Sequence, residues 1–216
     1  MEKMTLLWLF EKGGWSMWPL LVMSIITIAV SVERLIFFMM HNLNVKDVEM
    51  KVIEMIRAGD LKGAEEYLAG FKNNKKAVGI IKEGLRMAKL GEHRIEKAFE
   101  SETQQQVKEL DKGLNFLVEM GSLAPITGFL GTVSGMISAF GAIAKATDVN
   151  AQLVAGGIFE ALITTAYGLI IAVVAIAMYN FYTSIVEKFI TDMERVGSDV
   201  VTEIILSGQA GSSQDK

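Results

Sequence analysis

The sequence predicts an all-α membrane protein, with three transmembrane helices and long helical extensions on one side of the bilayer. Three observations predict this. Apolar stretches at 15–40, 120–144 and 158–183 each reach the roughly 20 residues that cross the hydrocarbon layer. The 216-residue chain is 51% hydrophobic, high for a soluble domain, with a mean hydropathy of +0.36. Its 20 Gly against 2 Pro suit helices in close backbone contact better than loops or strands.

Residues 1–14 form a short N-terminal stretch outside the membrane. Trp8, Trp15 and Trp18 read as an aromatic belt at the interface. The span 15–40 is too long for the apolar core of a cleaved signal peptide and ends without a small-x-small site, so it reads as a retained helix. Glu33-Arg34 near its end reads as an anchor, a pair that partly neutralises itself while the arginine reaches for the interface. His41 follows at the interface. His93 lies in a polar stretch, neither histidine has a second histidine at helical spacing, and no metal site is expected.

Residues 41–119 carry fourteen basic and fourteen acidic side chains. Helices are expected at Val45–Arg57, Leu61–Phe71 and Ala77–Lys89, broken by Ala58-Gly59-Asp60 and by Phe71-Lys-Asn-Asn-Lys75. A further helix starts near Glu92. Ile95, Phe99, Val107, Leu110, Leu114 and Leu117 keep 3- and 4-residue spacing, so one helix is expected to run on to Ala144, bent inside the bilayer at Pro125. Residues 145–157 then form a short loop. The third span, 158–183, continues as an amphipathic helix over 184–206, and the polar, Gly/Ser-rich tail 207–216 is expected to be disordered. Basic residues concentrate in 41–119, which places that region and the C-terminus in the cytoplasm and the N-terminus outside.

Composition excludes much. There is no Cys, so no disulfide framework, thiol nucleophile or cysteine zinc site exists. A net charge of −4 gives no basic surface for nucleic acid. No phosphate-cradling loop or nucleophile elbow appears, so neither an enzyme nor a cofactor is expected.

Glu160 is the one charged residue between Asp148 and Glu187. A carboxylate in hydrocarbon costs about 2.5–3.5 kcal/mol, which marks it for an ion or proton path. The plainer alternative is an interfacial carboxylate near the polar loop. Thr164 and Gly168 follow it at i+4 and i+8 on one face, with Thr165 one residue round. In the second span Gly128, Gly131 and Gly135 share a face on which another helix can pack. Thr127, Thr132, Ser134 and Ser138 add hydroxyls, whose ordinary use in membrane helices is to bond the i−4 carbonyl.

Ala124-Pro125-Ile-Thr-Gly128-Phe-Leu-Gly131-Thr132-Val-Ser-Gly135, followed by Phe159-Glu160-Ala-Leu-Ile-Thr164-Thr165-Ala-Tyr-Gly168-Leu and Tyr179-Asn180, closely resembles the ExbB/TolQ branch of the MotA/TolQ/ExbB proton-channel family. Thr164 stands where relatives often have Ala. The resemblance implies a bacterial inner-membrane subunit, periplasmic at its N-terminus, that assembles as a pentamer around a central pore. It further implies a dimeric ExbD/TolR-like single-span partner in that pore, and a TonB/TolA-like protein beyond it. It maps the pore carboxylate to Glu160 and the two pore threonines to Thr132 and Thr165. Thr164, Ser134 and Ser138 stand as supporting pore-lining residues. A sodium-driven stator of the same superfamily and a non-conducting membrane scaffold remain as alternatives.

Overall fold

The computed structural model describes residues 6–41, 43–71, 76–145 and 151–214, and those residues are helical apart from short turns. The helices are α1 (Leu6–Lys12), α2 (Met17–Met40), α3 (Lys46–Arg57), α4 (Leu61–Ala69), α5 (Lys76–Arg86), α6 (Glu92–Asp111), α7 (Leu114–Lys145) and α8 (Ala151–Gln214), with a 3₁₀ turn at Ala88–Leu90. The chain divides into two compact units, one of residues 1–34 and 113–182, the other of residues 35–112 and 183–216.

Among the described residues, three helices are long and apolar enough to cross a membrane: Met17–Met40, Leu114–Lys145 and the part of α8 from Val154. In the first unit their outward faces are apolar too. Ile25, Ile28, Ile126, Phe129, Ile137, Leu162, Ile170 and Val173 all lie exposed. A helix that is hydrophobic all round belongs in a membrane or a large core, and this unit has only a small core. That core joins Met17 and Leu20 of α2 to Ala124 of α7 and Ile171 of α8. Across the same contact the Tyr167 hydroxyl donates to Ser24 Oγ at 3.1 Å.

The second unit has an extensive buried hydrophobic core. Val48, Val52, Ile56, Leu68, Ile80, Ile81, Leu85, Ile95 and Phe99 bury against Val186, Phe189, Met193, Val196 and Val200 of α8. Each such side chain, fully buried, contributes about 1.5–3 kcal/mol. Turn chemistry sets the boundaries. Gly59 and Gly91 adopt positive φ, which L side chains avoid. Asp60 caps α4 by accepting from the Gly63 amide at 2.8 Å.

The helices α4 and α5 end two or three residues before the boundaries read in the sequence, and three other departures are larger. The helix expected from Glu92 to Ala144 is two helices: α6 ends at Asp111, and Gly113 at φ +88 intervenes before Leu114. The helix α8 begins at Ala151, inside the expected loop 145–157, and residues 146–150 lie outside the described residues. It continues to Gln214, through most of the tail expected to be disordered. Pro125 lies within α7, which is continuous through it.

Candidate functional site

The first unit is organised around a seam between α7 and α8. Its floor is made of small residues. A Cβ on Gly128 would come within 2.7 Å of the Thr164 carbonyl, and one on Gly135 within 3.0 Å of the Gly157 carbonyl. From the other side, a Cβ on Gly168 would overlap the Ala124 carbonyl. Main chain therefore meets main chain, as the glycine spacing predicts. Gly131 has a different neighbour as well: a Cβ there would lie 2.6 Å from both Ser16 Oγ and Thr164 Oγ1.

The hydroxyls sort into distinct uses. Thr164 is fully buried and donates to the Ala161 carbonyl of its own helix at 2.9 Å. Ser134 accepts from Trp15 Nε1 at 3.0 Å. Ser138 is exposed. Thr132 and Thr165 do more than return to their own helices. Their hydroxyls bond one another across the seam. Thr132 Oγ1 also lies 3.0 Å from the Ala161 carbonyl, and Thr165 Oγ1 lies 3.2 Å from the Gly128 carbonyl. Two hydroxyl protons thus serve one hydroxyl–hydroxyl bond and one carbonyl at a time. Either Thr132 donates to Thr165 and Thr165 to Gly128, or Thr165 donates to Thr132 and Thr132 to Ala161. A pair with both arrangements available can take a proton on one side and yield one on the other.

Glu160 is half-buried and does not join that pair. Its carboxylate occupies the space where a Cβ of Gly14 would stand, on the turn between α1 and α2. Among the described residues no hydrogen bond to it is recorded. Thr165 lies five residues further on, about 140° round the helix at 3.6 residues per turn, so the carboxylate and the hydroxyl pair flank the seam on opposite margins. The turn itself was read from sequence only as an interfacial stretch with a tryptophan. Its Gly13-Gly14 pair was the available signal for a close approach.

At the far end of α2, Glu33 and Arg34 form a two-pronged ion pair with both contacts at 2.5 Å, and Arg34 is buried. Nearby, the buried Tyr182 hydroxyl donates to the Ser31 carbonyl at 2.6 Å.

Comparisons with known proteins converge on one family. Residues 72–195 match the MotA/TolQ/ExbB proton channel family. The biopolymer transport protein ExbB of Salmonella typhimurium is 25% identical over 198 residues, covering 84% of this chain and 77% of the relative. The biopolymer transport protein exbB1 of Vibrio cholerae is 29% identical over 174 residues, covering 77% and 74%. The Tol-Pal system protein TolQ of Haemophilus influenzae is 34% identical over 133 residues, covering 57% and 54%. With three apolar helices and a lone carboxylate at the head of the third, the chain belongs to the MotA/TolQ/ExbB proton channel family, in its ExbB/TolQ branch.

Proposed function

We propose that this chain is the proton-conducting subunit of an inner-membrane motor that uses the proton gradient to drive an ExbD/TolR-like single-span partner. Five copies enclose a pore lined by α7 and α8, with the N-terminus periplasmic and the second unit cytoplasmic. The partner passes the work on to the envelope, through a TonB/TolA-like protein where one is present. The observation that carries this reading is a reversible hydroxyl pair, Thr132 and Thr165, across a seam whose α8 side holds Glu160 as its one carboxylate within the membrane span. Glu160 takes up and releases the proton. The two threonines relay it or orient the waters that do.

The site is poor in oxygen ligands, which favours protons over sodium. Hard cations such as calcium and magnesium are held by about six or more oxygens, whereas a proton needs only a chain of donors and acceptors. The test is proton uptake by liposomes holding the complex of this chain with its single-span partner. The reading requires that Glu160→Gln abolish uptake while the complex still assembles. Uptake that tracks a sodium gradient would establish the sodium-driven alternative, and unchanged work by Glu160→Gln would leave only a scaffold.

A further inference from the structure

Four features converge on the turn from Gly13 to Ser16. Gly14 adopts φ +68, and the Glu160 carboxylate fills the position its Cβ would take. Trp15 Nε1 donates to Ser134 Oγ at 3.0 Å, tying the turn to α7. Ser16 is buried, and its hydroxyl presses on Gly131 beside the Thr164 hydroxyl. One helix earlier, Trp8 meets Phe159, the residue before Glu160, edge to face at 5.4 Å. The turn is therefore fixed on both sides of the carboxylate, and the carboxylate touches it at Gly14, the second of its two glycines.

We infer that this turn is a seat for the Glu160 carboxylate, with Gly14 as its positioning residue. The inference rests on the proton-relay reading for its purpose, though not for its geometry. A seated carboxylate lies on the margin of the seam opposite the Thr132–Thr165 pair. To exchange a proton with that pair it must leave the turn. Gly14 sets the balance between the two positions by leaving room for the carboxylate. Any side chain at residue 14 would evict it. Trp15 sets the balance indirectly, by holding the turn in place through Ser134.

The chemistry offers a direct readout. Dicyclohexylcarbodiimide modifies a protonated carboxyl in apolar surroundings, and the modified peptide is quantified by mass spectrometry. The full-length protein in lipid is labelled over a range of pH, with Glu160→Gln as the blank. Gly14→Ala should change the labelling rate at Glu160 at least threefold and displace the midpoint of its pH profile. Trp15→Phe, which keeps the ring but removes the indole donor, should act in the same direction by a smaller factor. Thermal unfolding supplies the second measurement. A methyl at residue 14 meets both backbone strain and the carboxylate, so Gly14→Ala should lower Tm less in a Glu160→Ala background than in the native one. Rates and midpoints equal to native in both Gly14→Ala and Trp15→Phe overturn the seat, as does an equal loss of Tm in the two backgrounds. Where Gly14→Ala fails to fold, Trp15→Phe decides. Proton uptake that survives Glu160→Gln would end the relay reading alone, because labelling reports where the carboxyl sits and not whether it conducts.

Discussion

Thr132 and Thr165 can exchange donor and acceptor roles without either leaving its partner. Each hydroxyl touches the other and has a carbonyl of the opposite helix in reach, at 3.0 Å for Thr132 and 3.2 Å for Thr165. Neither side chain has to rotate out of the seam for the proton order to reverse.

This reversibility separates the effects of the two kinds of substitution. Glu160→Gln should abolish proton uptake. Thr132→Ala or Thr165→Ala should reduce it about five- to tenfold, the equivalent of one hydrogen bond of about 1 kcal/mol. Thr132→Ser, which keeps the hydroxyl, should retain most of it. Uptake in liposomes is the measurement. A Thr132→Ala protein as inactive as Glu160→Gln would show that the hydroxyls do more than orient.

The glycine floor predicts a packing effect that ignores charge. Gly128→Ala places a methyl within 2.7 Å of the Thr164 carbonyl, and main chain cannot move aside as a flexible side chain would. The cost should be about 1–3 kcal/mol. Gly141→Ala, in the same helix with open space around it, should cost nothing or stabilise slightly. Thermal unfolding in detergent compares the two. Equal Tm values would mean that the seam is looser than described.

In the second unit, Glu49 should give the stability a pH dependence of its own. It is 7% exposed, and Arg195 Nη2 donates to it at 2.9 Å. Burial pushes its pKa above the ordinary 4.5 despite the arginine, and Asp199 and Asp192 push it the same way. The fold thus prefers the protonated carboxyl. Its contribution is complete below the unfolded value and is lost as pH rises through the folded one. Glu109 works in the opposite sense. Lys76 holds its pKa low, so its contribution is present above the ordinary value and lost as pH falls. Glu49→Gln should therefore flatten the fall of Tm that begins as pH rises past the ordinary 4.5, and leave the fall below that value unchanged. Circular dichroism melts across that range test it. A fall of Tm above pH 4.5 identical to native would refute the assignment.

Tyr182→Phe should destabilise the first unit by about 1 kcal/mol, because a buried phenol that donates at 2.6 Å to Ser31 loses its only proton. The neighbouring Phe181→Leu, at an exposed position, should change Tm little. Melting curves of the two variants give the comparison directly.

The spans and most helix breaks were legible because they rest on local rules. Asp60 caps a helix in whatever fold it occurs, and a charge-free run of this length has few uses outside a bilayer. The break at Gly113 was not legible. Leu110, Leu114 and Leu117 stay in helical phase across it, and a single glycine inside a helix costs only about 1 kcal/mol. The backbone declares the break, at Lys112 with ψ 122 and at Gly113 with φ +88, and neither angle leaves a mark in sequence. The glycine face of α7 was readable from its spacing. The Thr132–Thr165 bond was not, since each residue alone looks like a hydroxyl returning to its own helix. The resting place of Glu160 was the least legible. It depends on a residue with no side chain, on a turn held by a tryptophan bonded to a serine 119 positions away.

Packed helices ordinarily slip because side chains yield: a rotamer changes and a ridge passes over a groove. Between Gly128 and Gly168, and again between Gly135 and Gly157, there is no rotamer to change. The two helices are thereby locked into a stiff plate, and any shear between them would have to break main-chain contact first. On the proposed function, the moving joint of the motor cannot lie inside such a plate. The joint must lie at the edges, where the plate meets whatever turns against it.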